Sequence, residues 1–167
     1  MKELLSLASR LSSDTAFFLY GGTALVQGRG EIVSQLPPFP STYVILLLPP
    51  LPRMAGKTGR LYASLSAADF TQGEITGRAA ELLQSDEGTA SFLLFNVFER
   101  VAFEVFSGIA GYWERLLQAG ATSVHLAGAG PALFALVKDK AEATKIYRDL
   151  QQGGLECYLA QTCAAAG

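Results

Sequence analysis

The stretch "HLAGAGPALFALVKDKAEATKIYRDLQQGGLECYLAQTC", residues 125–163, decides the fold. Two apolar runs flank a Gly-x-Gly-Pro break, so its first part reads as strand, tight turn, strand. "KAEATKIYRDLQQ" places apolar residues at helical spacing and meets a Gly-Gly stop at Gly153 and Gly154. "LECYLAQTC" then closes as a strand. Toward the N-terminus, "YWERLLQAG" reads as a helix ending at Gly120, where glycine suits a C-cap. "TASFLLFNVFERVAFEVF" reads as an apolar helix over about 89–106, and residues 60–84 as helix interrupted at Ser66 and Gly73. "YVILLL", from Tyr43, is a continuous apolar run suited to a strand buried on both faces. From Tyr43 onward the order is strand, helices, strand, strand, helix, strand. That is an α+β arrangement, the split β-α-β pattern of ferredoxin-like domains with extra helices in the first crossover.

Ahead of this block, Leu4, Leu5, Leu7, Ala8 and Leu11 predict a short amphipathic helix over 2–11. Its first turn has no clear cap; the chain begins inside a helical pattern, as a truncated piece would. "TAFFLYGGTALVQGRGEIVSQL" reads as strand, Gly-Gly break, strand, turn at Gly28 to Gly30, and short strand. "PPLPRMAGKTG" is read as an irregular loop, because its prolines and glycines break ladders and helices alike.

Composition narrows the function classes. Half the 167 residues are hydrophobic and 17% are charged, so some apolar surface belongs against a partner or another piece of chain. A net charge of −2 supplies no field for nucleic acid and no polybasic patch for a membrane. Prolines end the longest apolar run well short of the roughly 20 residues a bilayer requires. With no export cleavage pattern either, the cytoplasm is the expected location. Cys157 and Cys163 have no second ligand pair, so they are read as reduced small hydrophobes rather than zinc ligands. His125, the single histidine, excludes His-pair metal sites and is read as structural. No residue is assigned to a metal.

Three places could carry chemistry. Asp14, after two serines at a helix-to-strand junction, suits a base that takes a proton from a substrate hydroxyl; it equally suits a turn aspartate bonding to nearby backbone. The glycines at 128 and 130 let backbone N–H groups approach an anion, or simply make a hairpin turn. No helix follows them, so they match neither the Walker loop nor the dinucleotide fingerprint. Tyr62, beside the Pro/Gly-rich loop, could stack on a nucleobase or face the core. Phe92, Phe95, Phe98, Phe103 and Phe106 are read as core, and Glu99 and Arg100 as the solvated face of their helix.

Taken in order, "SSDTAFFLYGGTALVQGRGE", "YVILLLPPLPRMAGKTGRLYASL", "FNVFERVAF", "LLQAGATSVHLAGAGPALFALV" and "LECYLAQTC" resemble the C-terminal half of a GHMP small-molecule kinase. Within that superfamily the likeness is to the diphosphocytidyl-methylerythritol kinases of non-mevalonate isoprenoid synthesis. The resemblance implies a GHMP C-terminal domain at 41–167, preceded by a helix and strands left over from the N-terminal domain at 1–40. It implies ATP and Mg²⁺ as cofactors of the complete enzyme and a cytidine-diphosphate methylerythritol substrate. Asp14 falls on the family's catalytic aspartate. The segment from Thr58 to Tyr62 falls on the substrate loop, with Tyr62 stacking on cytosine. Gly128, Ala129 and Gly130 fall on the glycine loop that borders the phosphate site.

The chain departs from the family pattern at several points. Ser12 and Ala16 replace a glycine and a proline around Asp14, and Ala129 and Ala132 replace hydroxyl residues in the glycine loop. Any anion contact from that loop is then expected from backbone N–H groups. No glycine-serine-rich ATP loop occurs in the 167 residues. The resemblance therefore predicts a C-terminal portion, inactive alone, that pairs with its N-terminal half or self-associates. The alternatives are another GHMP kinase, such as a mevalonate or homoserine type, or a non-catalytic ferredoxin-like binding domain.

Overall fold

A computed structural model describes residues 2–85 and 94–163. The chain divides into two compact units, one of 1–40, 73–93 and 163–167, the other of 41–72 and 94–162.

The second unit is built on a four-stranded antiparallel sheet of β3 (Tyr43–Leu47), β4 (His125–Leu126), β5 (Leu133–Val137) and β6 (Cys157–Gln161), in the order β4-β5-β3-β6. The crossover between β3 and β4 holds α2 (Lys57–Ser64), α4 (Glu99–Val105) and α5 (Ile109–Gln118); α6 (Lys140–Gln152) links β5 to β6. Counting the four strands by their place in the chain, the spatial order is 2-3-1-4. Each β-α-β crossover thus skips a neighbour and every adjacent pair is antiparallel, which is the ferredoxin-like arrangement.

The period of two along the strands sets the core. Ile45 and Leu47 pair with Ala135 and Leu133, and all four are fully buried. Leu61, Val101, Ile109, Leu116, Ile146 and Leu150 from the four helices join them in one cluster. β3 departs from the expectation of burial on both faces: Tyr43, Val44 and Leu46 are only partly covered. The helices gather on one face, which leaves an antiparallel sheet free to be half-exposed on the other. α6 is capped by Asp139, whose carboxylate takes the Glu142 N–H at 2.8 Å.

The first unit contains α1 (Lys2–Leu11), the antiparallel hairpin of β1 (Ala24–Gln27) and β2 (Ile32–Gln35), and α3 (Glu74–Gln84). The helix over 2–11 and the hairpin follow the sequence expectation, but the expected strand at 15–20 does not form. Phe17, Phe18 and Leu19 make a single 3₁₀ turn, with N–H groups bonding back to Asp14, Thr15 and Ala16. Hydroxyls compete locally: Ser12 Oγ meets Thr15 Oγ1 at 2.7 Å and accepts the Asp14 N–H, which favours a turn over an extended chain.

Two further expectations fail. α2 starts at Lys57, inside the segment read as irregular, because left-handed Gly56 (φ +65°) ends the loop and its carbonyl receives the Arg60 N–H. The long apolar helix is shorter than predicted. Its residues 89–93, with Phe92, lie outside the described residues, 94–96 are not helical, and α4 begins only at Glu99. Of its aromatics Phe106 is buried, but Phe95 and Phe103 are exposed, Phe103 leaning on Trp113 at 5.3 Å between centroids. Cys157 is buried and Cys163 exposed, both as free thiols, and burial raises the Cys157 pKa. No helix among the described residues is long and apolar enough to cross a membrane.

Candidate functional site

The candidate residues fall in both units. Asp14 lies in the first, in the turn leading to the 3₁₀ segment, and is exposed. Its turn rests on the tip of the β1–β2 hairpin. Gly30, at φ +102°, lies so close that an added Cβ would sit 1.9 Å from the Ser13 carbonyl oxygen. Only glycine fits there, on both conformational and steric grounds. Glu31 folds its carboxylate back onto the same tip and accepts the Arg29 N–H at 2.6 Å.

In the second unit α2 carries Thr58 and Tyr62. Leu61 anchors the helix in the core, and that leaves its neighbour Tyr62 57% exposed. The ring is not loose: Phe98 meets it edge to face at 4.9 Å between centroids. This geometry supports the ring from one side and leaves it open to a stacking partner. In this structure Tyr62 does not face the core. Thr58 is exposed in the first turn of the same helix.

The glycine loop joins β4 to β5. Ala127 donates to the Ala132 carbonyl at 2.8 Å, and Gly130 to the Ala127 carbonyl at 2.9 Å, so the loop is a true hairpin turn. Gly128 and Gly130 have φ of +54° and +56°. Among the described residues no acceptor takes the N–H of Gly128 or Ala129. Unpaired consecutive amides in a glycine turn are what a backbone anion site presents. The turn and the anion site are compatible.

Two residues that sequence reasoning passed over hold this loop. Asn96 donates from Nδ2 to the carbonyls of Leu126 (3.0 Å) and Gly128 (2.8 Å), while its Oδ1 accepts the Phe98 N–H. Lys57 donates its ammonium to the Gly130 carbonyl. The available signal was an amide residue interrupting an apolar run just before the Phe98–Glu99 pair, and a cation opening the helix that bears Tyr62.

Glu99 is not a solvated surface residue as expected. Its Oε1 accepts the Leu126 N–H at 2.9 Å, closing the end of the short edge strand β4. His125 lies beside it, with Nδ1 at 3.3 Å but without the alignment of a hydrogen bond, and its ring is tilted against Phe134. Arg100 does reach solvent and pairs with Asp69 at 3.0 Å. The Ser66 backbone N–H and hydroxyl, with Arg100 adding charge, hold the Asp69 carboxyl below its usual pKa. Among the described residues no group of three or more His, Cys, Asp or Glu side chains gathers to hold a metal ion.

Comparison with known proteins gives a consistent set of likenesses. The family model described as GHMP kinases C terminal matches residues 72–155, half of the chain. A 4-diphosphocytidyl-2-C-methyl-D-erythritol kinase of Dehalococcoides mccartyi is 45% identical over 160 residues, covering 96% of this chain and 56% of the relative. A crystal structure of 4-(cytidine 5'-diphospho)-2C-methyl-D-erythritol kinase superposes with a TM-score of 0.71 at 24% identity, over 95% of this chain and 56% of that one. Homoserine kinase from Cytophaga hutchinsonii follows with a TM-score of 0.66 at 20% identity, over 91% and 51%. The chain spans about half the length of the curated relatives it matches.

Proposed function

The chain belongs to the GHMP kinases, C-terminal family, and from that premise we propose that it is the substrate-recognising half of an ATP-dependent kinase acting on 4-diphosphocytidyl-2-C-methyl-D-erythritol. The observation that carries this reading is the 45% identity to a kinase of that name, sustained over 96% of the chain. Residues 1–40 are read as the remainder of the N-terminal domain and 41–167 as the C-terminal domain, working in the cytoplasm.

In the complete enzyme Asp14 accepts the proton of the substrate hydroxyl as its oxygen attacks the γ-phosphorus of ATP, with ADP leaving. Tyr62 stacks on the cytosine ring, Thr58 in the first turn of the same helix contacts the substrate, and the amides of Gly128 and Ala129 border the phosphates. Mg²⁺ would arrive with the nucleotide. Among the described residues no group of three or more His, Cys, Asp or Glu side chains gathers to hold it. Positioning and charge neutralisation supply most of the catalysis of phosphoryl transfer, so both halves of such a kinase are needed.

The test is to combine the 167-residue chain with a separately expressed N-terminal half of the Dehalococcoides relative and follow phosphate transfer from ATP. Transfer to the cytidine-diphosphate substrate is expected, and Asp14→Asn should reduce it by about 10²-fold or more, in the range of a general base. Transfer that survives Asp14→Asn removes the base. Failure of the pair to transfer phosphate, with cytidine nucleotide binding retained, favours a non-catalytic binding domain.

A further inference from the structure

We propose that Lys57 and Asn96 are positioning residues that fix the glycine loop for a phosphate group, and that α2 thereby joins phosphate and nucleobase recognition in one rigid element. The proposal rests on the nucleotide reading given above and deepens it.

The loop from Ala127 to Ala132 has no ionisable or hydroxyl side chain of its own. Its conformation is secured through its carbonyls: Asn96 holds Leu126 and Gly128, and Lys57 holds Gly130. The N–H groups of Gly128 and Ala129 have no acceptor among the described residues and are available to an outside one. Only glycine fits at 130, since an added Cβ would lie 2.7 Å from Leu126 Cδ1 and 3.1 Å from the buried Phe106. Asn96 fits no simpler role as a helix cap, because two of its three bonds leave its own segment.

Lys57 does more than tie the loop. An ammonium has three donors, and the Gly130 carbonyl occupies one. It brings a full positive charge to a loop otherwise limited to peptide dipoles, and anionic phosphate requires such charge. Tyr62 lies five residues further along the same helix, fixed by Phe98, which follows Asn96 by two. The two clamping residues and the two aromatics therefore come from just two segments, α2 and the entry to α4. A diphosphate attached to a stacked base would meet both.

The experiment uses the ¹⁵N-labelled 167-residue chain, with cytidine diphosphate and cytidine as separate probes. Without ligand, Lys57→Met and Asn96→Ala are each expected to shift or broaden the amide resonances of Gly128, Ala129 and Gly130. Lys57→Met should weaken cytidine diphosphate binding by about tenfold, the scale of one hydrogen bond to a charged group, and leave cytidine binding unchanged. Lys57→Arg should restore both. Unperturbed loop resonances in Lys57→Met overturn the clamp regardless of ligand. Equal weakening of cytidine and cytidine diphosphate overturns it too, since that is the result of a loosened α2. If the wild-type chain binds neither probe, the nucleotide reading fails, while the ligand-free resonances still decide the clamp.

Discussion

Glycine and tyrosine positions in this chain differ in what a substitution would change. Tyr62 is 57% exposed and braced by Phe98, so its removal should leave the core around Leu61 intact. Tyr62→Ala is expected to weaken cytidine binding by about 1–3 kcal/mol, the worth of one base stack, with the melting temperature nearly unchanged. Calorimetric titration with cytidine, with Tyr62→Phe as the retained-stack control, measures this; equal binding by all three proteins would remove Tyr62 from the site. Gly30 is the opposite case. It combines φ +102° with a 1.9 Å clash of any added Cβ against the backbone of Ser13, next to Asp14. Gly30→Ala should cost about 1–3 kcal/mol or more in backbone strain and displace the Asp14 turn. Gly128, at φ +54° with open space around it, should tolerate alanine better. Thermal unfolding of the two variants ranks them, and a Gly30→Ala protein as stable as wild type would refute the packing argument.

Elements in the second unit owe their limits to polar contacts that cross between segments. β4 is only two residues long, and the Glu99 carboxylate satisfies its Leu126 N–H from the first turn of α4. Glu99→Ala should strand that half-buried donor and cost about 1–3 kcal/mol, whereas Glu99→Gln keeps an acceptor oxygen and should cost far less. Urea unfolding midpoints test the contrast, and equal losses would show that charge rather than the acceptor matters. The same contacts mark where the sequence is legible and where it is not. β3, β5, α6 and β6 are plain in the pattern because Ile45, Leu47, Leu133 and Ala135 follow a period of two and Ala143, Ile146 and Leu150 one near 3.6. The strand order follows from their alternation with helices. The start of α4 is hidden, because Asn96 leaves the helix to bond carbonyls some thirty residues away. Glu99 looks like a surface residue for the same reason. Local pattern carries no record of partners that distant, and the turn at Ser12 to Thr15 is hidden because its hydroxyl bonds prevail over a strand-like composition.

At the scale of the molecule, folding and chemistry are unequally supplied. The large apolar cluster lies wholly in the second unit, from Ile45 to Cys157, together with the glycine loop, Lys57 and Tyr62. On the proposed function, recognition of a cytidine nucleotide needs only parts contained there. Transfer of phosphate needs more: an in-line γ-phosphate, neutralisation of its developing charge, and a base, proposed to be Asp14, aligned for the transfer. The 167 residues contain Asp14 and the glycine loop but no glycine-serine-rich segment to cradle ATP. Binding and turnover should therefore separate. The chain alone is expected to bind cytidine diphosphate while moving no detectable label from γ-labelled ATP to the substrate, and to gain transfer when a chain supplying the other half of its relatives is added. Titration and a radiolabel assay on one preparation measure the two properties side by side. Transfer by the chain alone at about 1–100 s⁻¹, the usual range of kinases, would mean that these residues build an ATP site of a different kind.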